Sequence, residues 1–261
     1  MPVYRLDLEY DGSDFHGWQV QPAQRTVQGE LASALARLLR EPVQVTGAGR
    51  TDSGVHALGQ VASFETGRDV EPRRLLRALG GMLPEDVRAW RAGRASAGFS
   101  ARFSALSRSY TYRLLRSPSP VGRRLHHALR WAVDVEAMSL AAARLVGEHD
   151  FSAFAAKRSV DEHSVCLVHR AEVTGDASRV RFDITANRFL HNMVRRLAGV
   201  LVEVGRGRLQ VDDVGRVLAG LDPARGGPCL PAHGLFLVEV AYPPDPEFES
   251  STVVDGPRWC P

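Results

Sequence analysis

The sequence predicts an α+β protein built from two ferredoxin-like (βαββαβ) domains related by pseudo-symmetry, forming an extended, mainly antiparallel sheet flanked by helices. Three observations predict it. Short runs alternate apolar and polar residues, the period of a half-buried strand. Longer segments repeat leucine and valine at helical spacing. The same order of elements then occurs twice along the chain.

Val3–Tyr10 alternates and reads as the first strand. Thr26, with Glu30 nearby, suits a helix start, and Val27, Leu31, Leu35 and Leu38 fall on one face of the helix that follows. Val43–Thr46 and Gln60–Phe64 are short strands. Glu71-Pro72 opens a second helix, with Leu75, Leu76 and Leu79 inward and Arg73, Arg74 and Arg77 outward. Val87–Arg94 closes the first half as a strand. In the second half, Arg108–Arg116 is a strand and Asp134 caps a helix running through Leu145. Leu167–Thr174 and Arg179–Ala186 form a hairpin around Gly175-Asp176. Phe189–Val204 is a strongly periodic helix, Val211–Ala219 a shorter one, and Leu235–Tyr242 the last strand. The expected division is residues 1–104 as an N-terminal α+β domain, 105–244 as a C-terminal one, and 245–261 as an irregular, proline-rich tail.

The composition fits this division. A chain of 261 residues, 44% hydrophobic, suffices for two cores. The net charge is +3, and Lys157 is the single lysine. Arginine forks pair with phosphate in a bidentate way and stack on bases, although a GC-rich genome leaves the same mark. Three cysteines, Cys166, Cys229 and Cys260, make no disulfide framework, so a reducing cytoplasm is expected. The opening MPVYRLDLEYDG lacks the form of a secretory signal, and no apolar run approaches the roughly 18 residues of a membrane span, so a soluble protein is expected.

The densest chemistry lies in GAGRTDSGVHA, residues 47–57. Its glycines do not fit a dinucleotide fingerprint, since position 52 is Asp52, and no Gly-Lys-Ser/Thr completes a P-loop. Asp52 can serve an Asx-turn or a helix cap. It can also be a catalytic carboxylate, held ionised by a neighbouring cation such as Arg50, two residues away. In Ser107–Arg113, strand alternation puts Arg108, Tyr110 and Tyr112 on one side, which suits either a stacked base or an ordinary sheet core. On the Phe189–Gly205 helix, Arg195 points away from the apolar stripe, toward water or toward a cleft. His163, Cys166 and His169 have metal-like spacing without an evident fourth ligand. No nucleophile-elbow serine appears.

Six motifs in order then give a resemblance that runs nearly end to end. LEYDGSDFHGWQVQPAQRTVQGEL, GAGRTDSGVHALGQVASF, FSARFSALSRSYTYRL, GEHDFSAF, FLHNMVRRLAGVL and PAHGLFLVEVAY together resemble the bacterial tRNA pseudouridine synthase A family. The resemblance implies conversion of uridine to pseudouridine around positions 38 to 40 of the tRNA anticodon stem-loop. It implies a cytoplasmic homodimer with tRNA lying across both subunits, and no cofactor. It implies that Asp52 is the catalytic aspartate, that Tyr110 stacks on the target base, that Arg50 helps flip it, and that Arg195 pairs with the aspartate. Leu235 is expected to line the same pocket. Outward arginines at 73, 74, 77, 88, 91, 94, 123 and 124 are expected to hold the RNA backbone, and the glycines at 47, 49 and 54 to let it come near. Two rivals remain: a catalytically silent RNA-binding protein, and a methylase using a cysteine thiolate.

Overall fold

The computed structural model describes residues 1–155, 164–220, 227–249 and 251–253. Its elements begin with β1 (Val3–Tyr10), α1 (Val27–Leu39), β2 (Thr46–Gly47), β3 (His56–Glu65), α2 (Pro72–Met82) and β4 (Val87–Ala95). They continue with β5 (Ser107–Leu115), β6 (His127–Ala128), α3 (Val135–Ala143), β7 (Gly147–Asp150), β8 (Val165–Gly175) and β9 (Arg179–Ala186). The chain closes with α4 (Met193–Gly205), α5 (Val211–Leu218), β10 (Leu235–Ala241), α6 (Pro246–Glu249) and β11 (Thr252–Val253). Helices and mainly antiparallel strands make up both of its units.

Contacts divide the chain into two units: Met1–Leu106 together with the chain from Leu237 onward, and Ser107–Phe236. The second begins within two residues of the break expected at 104/105, whereas most of the last strand and the tail cluster with the first.

In the first unit the strands run β11-β4-β1-β3-β10, with β2 also paired to β3. β1 is antiparallel to both neighbours. Its Tyr4, Leu6 and Leu8 are fully buried, as are Leu31 and Leu35 of α1 and Leu79 of α2. Each such side chain contributes roughly 1.5–3 kcal/mol. Thr26 caps α1 by accepting a hydrogen bond from the Gly29 N–H. The buried face ends on Leu39 rather than the expected Leu38, which is half-exposed, because the stripe drifts by one position over three turns. Arg73, Arg74 and Arg77 point to solvent from α2.

The tail in this unit is not irregular where it is described. α6 places Phe248 against the polar face of β1 and β4. The Arg5 guanidinium lies 4.1 Å from the Phe248 ring centroid and 4.6 Å from that of Tyr242, and Arg91 lies 4.2 Å from Phe248. Arg5 also pairs with Asp7 at 2.8 Å. Burial raises the Asp7 carboxyl above its ordinary pKa, and Arg5 opposes that rise. The tail therefore covers a charged strand face that water would otherwise have to solvate.

In the second unit the order is β5-β9-β8-β7, with β6 beside β5. Asp134 caps α3 through the Ala137 N–H. α4 begins at Met193, not Phe189, because Asn192 takes a left-handed φ of 64° and ends any helix upstream of it. Asparagine tolerates that region better than most residues. β6 and β7 are too short for a periodic signal. β2 is shorter than the expected Val43–Thr46, and β3 is longer than Gln60–Phe64 because Ala57 already pairs with Tyr10.

Phe248 is 3% exposed and anchors two arginines. Phe248→Ala is expected to lower unfolding free energy by about 3 kcal/mol in urea titrations. An unchanged midpoint would mean that the tail merely lies on the sheet.

Candidate active site

The segment bearing Asp52 runs from β2 to β3 in the first unit. It is fixed from several sides. The Ala48 N–H donates to Val61 O at 2.8 Å, and the Trp18 N–H donates to Thr51 O at 3.0 Å. The Thr51 and Tyr10 hydroxyls share a 2.8 Å hydrogen bond. Gln60 donates from its amide to Tyr10 Oη at 3.3 Å and to Gly49 O at 2.9 Å. Ser53 Oγ donates to Phe15 O at 3.1 Å. Tyr10, Thr51 and Gln60 are all buried, so each hydrogen bond avoids a desolvation penalty of about 1–3 kcal/mol.

Asp52 itself is half-buried and Arg50 is exposed. The Val55 N–H closes a turn onto Asp52 O at 3.1 Å, and Gly54 occupies its third position with φ 78°. Positive φ there is the mark of a type II turn and calls for glycine. Gly47 has another reason. A β-carbon there would lie 2.4–2.5 Å from the Trp18 indole, which is itself fully buried. The expectation that Gly47 leaves room for RNA is thus corrected: the room is filled by tryptophan.

His56 sits one step into β3 and is 1% exposed. Its Nδ1 lies 3.1 Å from the Gly12 nitrogen and 3.1 Å from Asp11 Oδ1. It accepts from the first or, when protonated there, donates to the second. The hydrogen bond from His56 holds the Asp11 carboxyl well below the usual carboxylate range.

In the second unit Tyr110 lies on β5 opposite Ile184, 9% exposed, and meets Phe189 edge-on with ring centroids 5.1 Å apart. Tyr112 is fully buried and donates to Pro231 O at 2.7 Å, so of the two interleaved tyrosines it belongs to the core. Arg195 opens α4. Its Nε donates to Leu230 O at 2.7 Å and an Nη donates to Asn192 Oδ1 at 2.9 Å. The guanidinium is half-buried and oriented by its own helix start, rather than extended into water. Leu235 is buried at the start of β10.

Other candidates fare differently. His163 and Cys260 lie outside the described residues. Cys166 is fully buried and burial pushes its thiol pKa up, the reverse of what a nucleophilic thiolate needs. Three of the arginines expected on RNA are engaged within the protein. Arg88 pairs with Glu9 at 2.9 Å, Arg94 pairs with Asp69, and Arg91 donates to Ser251 Oγ at 2.6 Å. Arg73, Arg74, Arg77, Arg123 and Arg124 are exposed. Sequence reading missed Tyr10, Gln60, Trp18 and Asn192. The first two act on a loop some 41 and 11 residues away in the chain, which no local spacing reveals.

Burial pushes the Tyr10 hydroxyl pKa up to about 12 from an ordinary 10. The raised pKa means that its stabilisation is complete below pH 10 and is lost as pH climbs toward 12. Tyr10→Phe is expected to cost about 1 kcal/mol at neutral pH. It should also flatten part of the alkaline loss seen in urea titrations repeated from pH 8 upward. Parallel stability–pH curves for both proteins would contradict the buried network.

The chain matches the tRNA pseudouridine synthase family model over residues 8–103 and 141–243. It is 44% identical over 246 residues to the tRNA pseudouridine synthase A of Methylococcus capsulatus, covering 91% of this chain and 89% of that one. It is 46% identical over 258 residues to that of Frankia casuarinae, covering 96% and 93%. A solved archaeal box H/ACA sRNP Nop10-Cbf5 complex aligns at 12% identity and a TM-score of 0.32 over 76% of this chain and 44% of that one, too weak a likeness to add to this. By sequence over most of its length, this chain belongs to the tRNA pseudouridine synthase A family, a family of isomerases.

Proposed function

We propose that the protein isomerises uridine to pseudouridine at positions 38 to 40 of the tRNA anticodon stem-loop, with Asp52 acting on a flipped-out uridine. The observation that carries this reading is family membership over most of the chain, joined to a half-buried Asp52 on a rigidly pinned segment. Tyr110, Arg50, Arg195 and Leu235 are assigned to substrate binding. We also read each unit as ferredoxin-like. The pairings β4-β1-β3 and β2-β3 in the first unit, and β9-β8 following β5 and α3 in the second, support that. The protein is proposed to work as a cytoplasmic homodimer with tRNA as partner. Among the described residues no helix is long and apolar enough to cross a membrane.

The chemistry suits this constellation. The N1–C1′ bond breaks, uracil turns while still bound, C5–C1′ forms, and the C5 proton leaves to a base. Reactant and product have the same atoms and oxidation level, so the step needs no external donor or acceptor of electrons. The Asp52 carboxylate can attack the sugar or the base, or it can take the C2′ proton so that a glycal forms. Either way it must sit where it is put. Misplacement by about 1 Å can cost on the order of a hundredfold in rate. The hydrogen bonds around Thr51 and Gly49 supply that fixity. A paired uridine must first leave the stack, at a cost of a few kcal/mol. Arg50, exposed two residues from the carboxylate, is assigned to fill the gap or hold the extruded phosphate, and its exposure supports that. Tyr110 offers its ring to the base. The half-buried, oriented guanidinium of Arg195 suits a fixed cation better than a mobile phosphate clamp.

Asp52→Asn should abolish pseudouridine in treated tRNA, read by chemical mapping, while tRNA binding survives. Product formed at the wild-type rate would remove Asp52 from its role and favour the silent RNA-binding reading.

Exposed arginines release counterions when they meet phosphates. Replacing Arg73, Arg74 and Arg77 together by Gln should reduce the slope of log affinity against log salt by up to about 3. Arg88→Gln, already paired with Glu9, should leave that slope unchanged. Equal effects from both changes would show that the two sets of arginines are not distinguished in the way the ion pairs imply.

A further inference from the structure

The second unit carries a cavity of about 550 Å³ that none of the residues assigned above lines. Its walls are His127–Trp131 on one side and Val202–Arg208 at the end of α4 on the other, with Pro228 and Leu230 at its edge. That volume lies within the roughly 300–1,000 Å³ typical of small-ligand sites.

Trp131 decides its character. The residue is 53% exposed, a large hydrophobic side chain left at the surface. It is nevertheless not loose. The Arg206 guanidinium lies 3.5 Å from the ring centroid, and Arg206 is anchored by Glu203 at 2.7 Å with its own side chain only 7% exposed. Arg208 stands 5.9 Å from the same ring. A cation stacked on an indole is worth about 0.5–2 kcal/mol and fixes the ring plane. One aromatic surface is therefore held in place and still accessible.

The surrounding charge is one-sided. Arg130, Arg206 and Arg208 line the cavity with Glu203 as the one acidic residue among its lining. Burial, His233 and Arg130 hold the His127 pKa below its ordinary value, so its imidazole adds no charge to that wall at pH 7. An accessible, pre-oriented indole ringed by arginines has the make-up of a stacking platform for single-stranded nucleic acid. A second copy of the chain fits less well. A two-fold contact would bring two copies of a patch with three arginines and one glutamate together, a net repulsion that phosphates would not meet.

We infer that this cavity holds one unpaired nucleotide of the substrate RNA, its base stacked on Trp131 and its phosphates against Arg130 and Arg208. The inference rests on the reading that the protein acts on tRNA.

The test compares wild type, Trp131→Ala, Trp131→Phe and the double change Arg130→Gln, Arg208→Gln with unmodified tRNA. Trp131→Ala should weaken binding roughly 5- to 100-fold and raise KM while leaving single-turnover product formation at saturating tRNA unchanged. Trp131→Phe should recover most of the affinity. Arg208 also faces Glu203 at 3.7 Å, so the double arginine change should lower the salt slope by about 1, chiefly through Arg130. The protein has four tryptophans, so the tRNA-induced fluorescence change lost in Trp131→Phe reports this ring alone. Affinity within twofold of wild type for Trp131→Ala, with no loss of fluorescence change in Trp131→Phe, would overturn the site. So would a fall in sedimentation mass for Trp131→Ala, which would make the patch a subunit contact. If wild type forms pseudouridine while Trp131→Ala is indifferent, only the stacking site fails. A wild type that neither binds nor modifies tRNA overturns both readings.

Discussion

A buried chain of polar groups holds the first unit's most important turn. Gln60 links the Gly49 carbonyl to Tyr10, and Tyr10 links to Thr51. These groups come from β1, β3 and the turn itself, so strand pairing and turn geometry depend on each other. The interior raises the stakes. An unpaired hydroxyl or amide there is expensive, so partial loosening of the turn leaves several groups unsatisfied at once. The turn therefore has one well-defined conformation rather than the spread of conformations a glycine-rich segment would otherwise sample. The glycines that look like freedom in the sequence are used differently: one accepts a positive φ, and another makes room for an indole.

Arginine serves three separate purposes in this chain, and partners distinguish them. Arg5 and Arg91 are staples that bind the tail to the outer face of β1 and β4 through aromatic rings. Arg195 and Arg206 are oriented cations, each with a hydrogen-bonded or ionic partner in its own unit. Arg73, Arg74 and Arg77 are exposed on one helix. Composition cannot separate these roles, since a guanidinium stacks, pairs and binds phosphate equally well. The nearly complete replacement of lysine by arginine is consistent with all three and singles out none.

The legible part of the fold is the part governed by local period. α1 and α2 follow from leucines at helical spacing, β1 from alternation, and the Thr26 and Asp134 caps from their short side chains. What escaped detection depends on distant partners. Ala57 belongs to β3 only because Tyr10 lies opposite it. α6 and β11 form where an arginine-bearing sheet face needs covering, which the proline-rich tail does not announce. Asn192 delays α4 by a backbone choice open to few other residues. Among the residues proposed for function, Asp52 and Tyr110 each stand out by residue type within a motif. Trp18, Tyr10 and Gln60 do not, because they act by shape and hydrogen bonding on a segment far along the chain.

The aromatic residues show why such supports matter for an RNA-directed isomerase. Trp18 and Tyr112 are fully buried, and each is locked against a glycine, Gly47 and Gly234 respectively. Neither can be offered to a base. Tyr110 keeps 9% of its surface exposed and is braced edge-on by Phe189, and Trp131 is open yet braced by Arg206. Bases stack on any flat ring, so a floppy exposed aromatic would bind RNA indiscriminately and lose side-chain entropy in doing so. A braced ring loses less on binding and presents its plane at a fixed angle. The chain thus spends its packing on holding a few groups still, which is what the proposed chemistry on an extruded nucleotide would require of a protein whose substrate is the flexible partner.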